Sequence, residues 1–398
     1  MFAKRETVEE KAESSLNIPG LLETIIVSGI EQQASDIHFE MYQNRLRIRF
    51  RIDGKLYNHL LMEKEYHSGI IARIKILSGM DIAEKRLPQD GRYTFEIEGR
   101  EVDMRVSSIP AIAGEKIVIR ILDPIKFQRS IEDLGITKED GRQIEELLRY
   151  ENGIVILAGP TGCGKTTTLY SLIRELNQEE VNIVTIENPV EYKMDGINQI
   201  QVHEEIGLTF SSTLRSVLRQ DPEIIMVGEI RDLETAQIAI RAAITGHKIF
   251  TTVHTNDSYS TIVRLLDMGI EAYLLKSSIN GIISQRLVRK LCPYCKVQEE
   301  PNIKEQQLLK KFGKTGSVYR AVGCDRCHGG YKGREAIMEI LPIDQDFMDL
   351  IHEKTDSKSL RTLGKKKGIR SLLDKGMDYV LEGRTTVEEV ARLMVEME

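Results

Sequence analysis

The stretch that most constrains this chain is Gly159-Pro160-Thr161-Gly162-Cys163-Gly164-Lys165-Thr166, followed by Thr167. It fits the pattern G-x-x-x-x-G-K-[ST], and its flanks suit that pattern. Gly153-Ile154-Val155-Ile156-Leu157-Ala158 is a short apolar run that reads as a buried strand, and residues 167–174 read as a helix. Strand, glycine loop and helix make a phosphate cradle. The glycines let backbone N–H groups turn inward, and the helix N-terminus adds a favourable dipole. In such a cradle Lys165 reaches the terminal phosphates and the Thr166 hydroxyl holds Mg2+. Gly159, Pro160, Thr161, Gly162, Cys163, Gly164, Lys165, Thr166 and Thr167 are the candidate nucleotide-binding residues. Cys163 stands where many such loops carry Ser. Because the loop acts through its backbone, phosphate binding is expected to survive that change.

At 398 residues the chain can bury a large core and divide into two or three domains. A net charge of −6 does not indicate a global basic surface for nucleic acid. No apolar run approaches the length of about 18 residues that spans a membrane. The N-terminus, Met1-Phe2-Ala3-Lys4-Arg5-Glu6-Thr7, lacks the apolar centre of a signal peptide. A cytoplasmic location follows as the expectation, with any membrane role supplied by a partner. Of five cysteines, four form two C-x-x-C pairs, which fits a reducing compartment and a metal better than disulfides.

Along the chain, residues 1–17 read as a short tail and residues 18–122 as a small α+β domain. Within it, residues 21–33 and 68–77 have helical spacing. Arg45-Leu46-Arg47-Ile48-Arg49-Phe50-Arg51-Ile52 alternates strictly, giving a strand with one apolar face and one arginine face. Asp53-Gly54 turns it into a hairpin, residues 93–97 and 101–106 form a second, and residues 116–122 another strand. Residues 123–136 read as a linker, beginning at Asp123-Pro124. From Gly153 to about Leu341 strands alternate with helices, the pattern of a parallel sheet. Residues 342–398 read as short amphipathic helices.

Three strands after the cradle end in polar residues. Residues 181–186 lead to Glu187, residues 222–228 to Glu229, and residues 248–253 to His254. Ligand chemistry in a parallel α/β sheet gathers at the carboxyl ends of strands. ATP hydrolysis needs a carboxylate for water, an acceptor for Mg2+ and a polar sensor of the γ-phosphate. Glu187, Glu229 and His254 supply that set, with Glu229 beside Thr166 as the magnesium candidate.

Those residues, with the segments around them, resemble the secretion-ATPase superfamily of type II secretion, type IV pilus assembly and DNA uptake. The matching segments are residues 159–168, residues 185–192 (the family's aspartate box), residues 218–232 (its Walker B) and residues 245–256 (its histidine box). Ser35-Asp36-Ile37-His38-Phe39-Glu40, Arg86-Leu87-Pro88-Gln89-Asp90-Gly91-Arg92 and both cysteine pairs match as well. The resemblance implies a PAS-like α+β N-terminal domain, a flexible linker and a RecA-like P-loop ATPase domain. It implies a homo-hexamer that works on an inner-membrane platform protein at the cytoplasmic face of the membrane. Nucleotide then sits between the two domains, and the positions matching the family's phosphate arginines are Arg105 and Arg120. Arg120 also stands out as a lone charge in the apolar run 117–122, where a buried guanidinium needs a partner such as phosphate or a carboxylate. Arg215 and Arg219, four apart on one helix face, are implied to face nucleotide or a neighbouring subunit. The arginine face of residues 45–51 reads as solvated or inter-subunit.

Two departures from the family stand out. Asn188 replaces the usual Asp of the aspartate box, which removes a carboxylate beside Glu187. Only Met1 to Asn17 precede Ile18 where many members carry a further docking domain, so the chain is expected to be a short form or a truncation. Cys292-Pro293-Tyr294-Cys295 and Cys324-Asp325-Arg326-Cys327 read as a closed four-thiolate Zn2+ site, with a helix over residues 303–312 filling the gap. In the family this insertion marks assembly rather than retraction ATPases. The expected mechanism is closure of the arginine-bearing domain over Mg-ATP, with a hinge at residues 123–128 and Glu229 with Glu187 organising the attacking water. Such closures around a hexamer would drive pilin or pseudopilin addition. A DNA-translocating ATPase and a nucleotide-gated scaffold with low turnover remain as other readings.

Overall fold

Period-two patterning sets the sheet of the first unit. In the computed structural model, which describes residues 17–124 and 129–397, the chain divides into units of residues 1–126 and 127–398. The expected hinge at residues 123–128 and the expected tail lie mostly outside the described residues. The first unit runs α1 (Ile18–Glu31), β1 (Asp36–Tyr42), β2 (Arg45–Ile52), β3 (Lys55–Glu63), α2 (Glu65–Leu77), β4 (Gln89–Ile97), β5 (Arg100–Ile109) and β6 (Lys116–Leu122). The antiparallel sheet has the order β3-β2-β1-β6-β5-β4. Leu22, Ile25 and Ile26 of α1 and Ile70, Ile71 and Ile74 of α2 pack on its apolar face, against Ile37, Phe39, Ile48, Phe50 and Ile119.

The opposite face is charged. The β1–β2 register sets Asp36 opposite Arg51 and Glu40 opposite Arg47. Arg49 Nε donates to Glu40 at 2.5 Å, and Arg45 reaches Glu63 on β3 at 3.0 Å. The arginine stripe is thus tied to carboxylates on its neighbouring strands. Arg120 differs from its expected burial. Its run is an alternating strand, with Ile117, Ile119 and Ile121 inward and Arg120 outward. Its side chain is 62% exposed and its Nε lies 3.1 Å from Asp36 Oδ1.

The second unit opens with α3 (Lys138–Leu148), β7 (Gly153–Ala158), α4 (Lys165–Leu176), β8 (Ile183–Glu187), β9 (Asn198–Gln201), α5 (Phe210–Val217), β10 (Ile224–Val227), α6 (Leu233–Ile244) and β11 (Lys248–Val253). It continues with α7 (Ser258–Asp267), α8 (Ala272–Ser278), β12 (Ile279–Leu291), β13 (Lys296–Glu299), α9 (Ile303–Lys311), β14 (Val318–Ala321) and β15 (Tyr331–Pro342). The seven-stranded sheet has the order β15-β12-β7-β11-β10-β8-β9. Both faces are covered, by Leu169, Tyr170 and Leu172 of α4 on one side and Ala236, Ala239 and Ile240 of α6 on the other. This is why β7, β8, β10 and β11 are apolar throughout rather than alternating. The parallel expectation needs one correction. β12 is parallel to β7, but β15 returns antiparallel along β12 from Gly281↔Pro342 to Leu291↔Tyr331. The cysteine pairs lie in the loop that joins these two strands.

Four short helices follow: α10 (Gln345–Leu350), α11 (Ser357–Lys366), α12 (Leu372–Leu381) and α13 (Val387–Met397). Asp344, Asp356 and Ser371 cap three of them through the backbone N–H three residues on. Met377, Val380, Val387 and Val390 share a core with Leu309 and Val318 of the cysteine insertion. The insertion and the last helices therefore bury each other's apolar surface.

Candidate nucleotide site and cysteine cluster

The phosphate loop starts where β7 ends. Gly159, Gly162 and Gly164 take φ of +152°, +79° and +90°, values that favour glycine. Gly164 in the left-handed conformation opens α4, whose first residue is Lys165. The Lys165 ammonium donates to the carbonyls of Gly159 at 2.7 Å and Pro160 at 3.0 Å. Burial lowers its pKa, and the Glu229 charge opposes that shift. Thr166 and Thr167 lie half-buried on the first turn of α4, whereas Thr161 and Gly162 are exposed at the loop's crest. The Cys163 thiol is buried under the loop, and that burial raises its pKa. The side chain at this position packs inward, as expected of a loop that binds through its backbone.

Sheet order brings the other residues beside it. Strands β7, β11, β10 and β8 are neighbours, so the loop, His254, Glu229 and Glu187 sit at adjacent strand ends. The sequence order differs, because β9 intervenes between β8 and β10 and goes to the sheet edge. The Glu229 strand end is pinned by Thr252, whose hydroxyl donates to the Gly228 carbonyl at 2.8 Å. Glu229 Oε1 lies 2.6 Å from Arg231 Nη2, and its Oε2 lies 3.5 Å from His254 Nε2. Burial and the Lys165 charge hold His254 below the usual histidine pKa, so the ring is neutral at neutral pH.

Glu187 is 3% exposed. Thr185 donates to its Oε1 at 2.6 Å and Gln199 at 3.3 Å, while the Tyr170 hydroxyl donates to Oε2. Tyr170, Thr185 and Gln199 carried no signal in the sequence, since each acts through a partner on another strand or helix, or two residues along its own strand. Asn188 next door is exposed. Burial raises the Glu187 pKa, against those three hydrogen bonds. A carboxyl raised in the folded state stabilises below its unfolded pKa, and that contribution is lost as pH rises through the folded value. In nucleotide-free protein, Glu187→Gln is therefore expected to flatten the fall in melting temperature as pH rises above the ordinary glutamate pKa of 4.5. An unchanged slope would show that the three donors fully offset burial.

Arg215 and Arg219 are bonded elsewhere. Both Nη atoms of Arg215 on α5 donate to Glu234 of α6 at 2.9 and 3.0 Å, and Arg219, which lies past the end of α5 rather than on its face, donates to the Arg215 carbonyl at 2.8 Å. In the first unit, Arg105 faces Arg120 across β5–β6 and Arg92 across β4–β5. These three arginines line a groove of about 500 Å³ with Asp36, Asp90 and Ser107. Arginines directly opposite one another repel unless a carboxylate or anion joins them, and here Asp36 joins Arg120 at 3.1 Å. Arg92 was not singled out from the sequence.

The four cysteines converge. Their Sγ atoms all lie within 4.8 Å of one another, with Cys292–Cys324 at 3.9 Å, Cys295–Cys327 at 3.8 Å and Cys324–Cys327 at 3.7 Å. A tetrahedron of thiolates with Zn–S bonds of about 2.3 Å has edges of about 3.8 Å. The residues present fit a zinc ion with no position left for water. The helix expected in the gap is α9, held by a capping box between Asn302 and Glu305.

A phosphate loop on a parallel sheet, with carboxylates and a histidine at adjacent strand ends, defines a P-loop nucleotide hydrolase. The family described as "Type II/IV secretion system protein" matches residues 11–392, and the chain belongs to it. Type II secretion system ATPase E of Vibrio cholerae is 43% identical over 97% of this chain and 77% of its own length. Type IV pilus assembly ATPase PilB of Myxococcus xanthus is 43% identical over 97% of this chain and 69% of its own. Among solved structures, the pilus retraction motor PilT with bound ADP is 27% identical, with a TM-score of 0.63 over 94% of this chain and 96% of that one. The Legionella pneumophila ATPase DotB shares the fold, with a TM-score of 0.70 at 22% identity over 95% and 96%. The chain is an ATPase of the secretion and pilus-assembly kind. Among the described residues, no helix is long and apolar enough to cross a membrane.

Proposed function

We propose that this ATPase is a hexameric motor that hydrolyses Mg-ATP to drive pilin or pseudopilin addition through an inner-membrane platform protein. The observation that carries the reading is the alignment of the loop, His254, Glu229 and Glu187 at four adjacent strand ends. In it, residues 159–167 bind the phosphates, with Lys165 on the terminal ones. Thr166 and Glu229 hold Mg2+, His254 reads the γ-phosphate as a neutral ring, and Arg105 and Arg120 are the phosphate arginines. Arg215 and Arg219 serve a neighbouring subunit, and the four cysteines hold zinc as a structural ion. A ring of head-to-tail contacts suits this function, with the protein at the cytoplasmic face of the membrane through its partner. The test is steady-state phosphate release by purified protein with Mg-ATP, beside Lys165→Ala, with particle mass from light scattering. Turnover by a hexamer, lost in Lys165→Ala, supports the motor. ATP binding without phosphate release would favour a nucleotide-gated scaffold, and DNA-stimulated release a DNA translocase. Asn188→Asp restores the carboxylate beside Glu187, and faster release is the expected result; equal rates would show that position to be idle.

A further inference from the structure

The geometry points to Gln285 as a positioning residue for the phosphate loop, beyond the roles assigned above but resting on nucleotide binding there. Parallel pairing of β12 with β7 ends at Ser284↔Ala158, so the next residue, Gln285, lies beside Gly159. Gln285 is 1% exposed. Its Nε2 donates to the Cys163 carbonyl at 2.8 Å, and its Oε1 accepts from the Thr168 hydroxyl at 2.7 Å. One amide therefore clamps the loop and the first turn of α4 together.

The fit is close on every side. A Cβ on Gly164 would meet Gln285 Nε2 at 2.8 Å, and one on Gly159 would meet the Gln285 carbonyl at 2.8 Å. The loop thus rests directly on β12. In a planar trans peptide the C=O and N–H point in opposite directions. Binding the Cys163 carbonyl to Gln285 therefore aims the Gly164 N–H away from β12, as a donor for the phosphate cradle. The next residue extends the bracing: Arg286 donates to the Asn256 carbonyl at 3.0 Å, in the loop that follows His254.

Equilibrium binding of a fluorescent ADP analogue to the 398-residue chain tests this. Gln285→Ala is expected to weaken binding about tenfold, since both bonds are lost. Thr168→Val should weaken it several-fold, and Thr168→Ser, which keeps the hydroxyl, should bind within about twofold of the parent. The Gln285→Ala/Thr168→Val double variant should bind no more weakly than Gln285→Ala, because the two share a bond. A merely structural role would lower the melting temperature of nucleotide-free protein and leave the ADP-induced rise intact; here that rise shrinks. Parent-like ADP affinity in folded Gln285→Ala, or in Thr168→Val should Gln285→Ala fail to fold, overturns the inference. Failure of the parent chain itself to bind ADP would instead overturn the nucleotide site.

Discussion

Glu229→Gln is expected to lower steady-state phosphate release by about 10²- to 10⁴-fold while ATP and ADP still bind. The amide keeps the shape of Glu229 and an oxygen for Arg231, but it cannot take a proton or balance Mg2+. A fall in turnover with binding retained marks an interaction made in the transition state. The same substitution at Glu187 is expected to be much milder. Both Glu187 oxygens already accept bonds, Oε1 from Thr185 and Gln199 and Oε2 from Tyr170, and burial works against its charge. Glu229 instead lies 3.5 Å from the histidine, and the Lys165 ammonium feels its charge. Among the described residues its short contact is to Arg231, whose side chain is 66% exposed. The proposed function then expects Glu229 to work on water and metal, while Glu187 bonds to Tyr170 of α4, Thr185 of β8 and Gln199 of β9. Phosphate release and ADP titration on both variants decide it. A larger loss in Glu187→Gln than in Glu229→Gln would reverse the ranking.

The difference between those carboxylates lay beyond the sequence, and the reason is distance along the chain. The loop itself was legible because every element of it is local, with apolar strand, glycines, lysine and helix in consecutive positions. β2, β6, β7 and β11 follow the ranges their patterns predict, since burial on one face or on both writes a regular period into the residues. Arg120 was placed inside because an apolar run with one charge looks buried until a period of two is recognised in it. β12 and β15 were illegible for the opposite reason. Gln285, Arg286 and Arg289 break the apolar pattern of β12, yet all three are buried. Arg289 is buried against Glu389, and Gln285 against Thr168, 117 residues away. Polar residues whose partners lie that far off read as surface.

The cysteine cluster supports the other large effect. Cys292→Ser or Cys324→Ser is expected to abolish zinc binding, from about one ion per chain to none, and to unfold the insertion locally. Removing a large buried side chain costs about 2–5 kcal/mol, whereas structural zinc contributes about 10–16 kcal/mol in small zinc-binding peptides. Besides the cysteines, Arg320 on Glu299 at 3.0 Å and Lys314 on Asp374 at 3.3 Å tie the insertion. β13 and β14 are four residues each, and of its apolar side chains Leu309 and Val318 are buried with the last helices. Loosening the insertion therefore also uncovers Met377, Val380, Val387 and Val390, and limited proteolysis should cut within residues 292–330. The β12–β15 pairing runs back to Gly281↔Pro342, so the sheet and its phosphate loop should persist and ADP should still bind. Cys163→Ser is the control. That thiol lies under the phosphate loop, outside the cluster, and its loss should leave zinc content unchanged. Metal analysis of the parent and the three variants gives the answer. Parent protein with four titratable thiols and no zinc, or a Cys292→Ser variant that keeps its metal, would exclude the site.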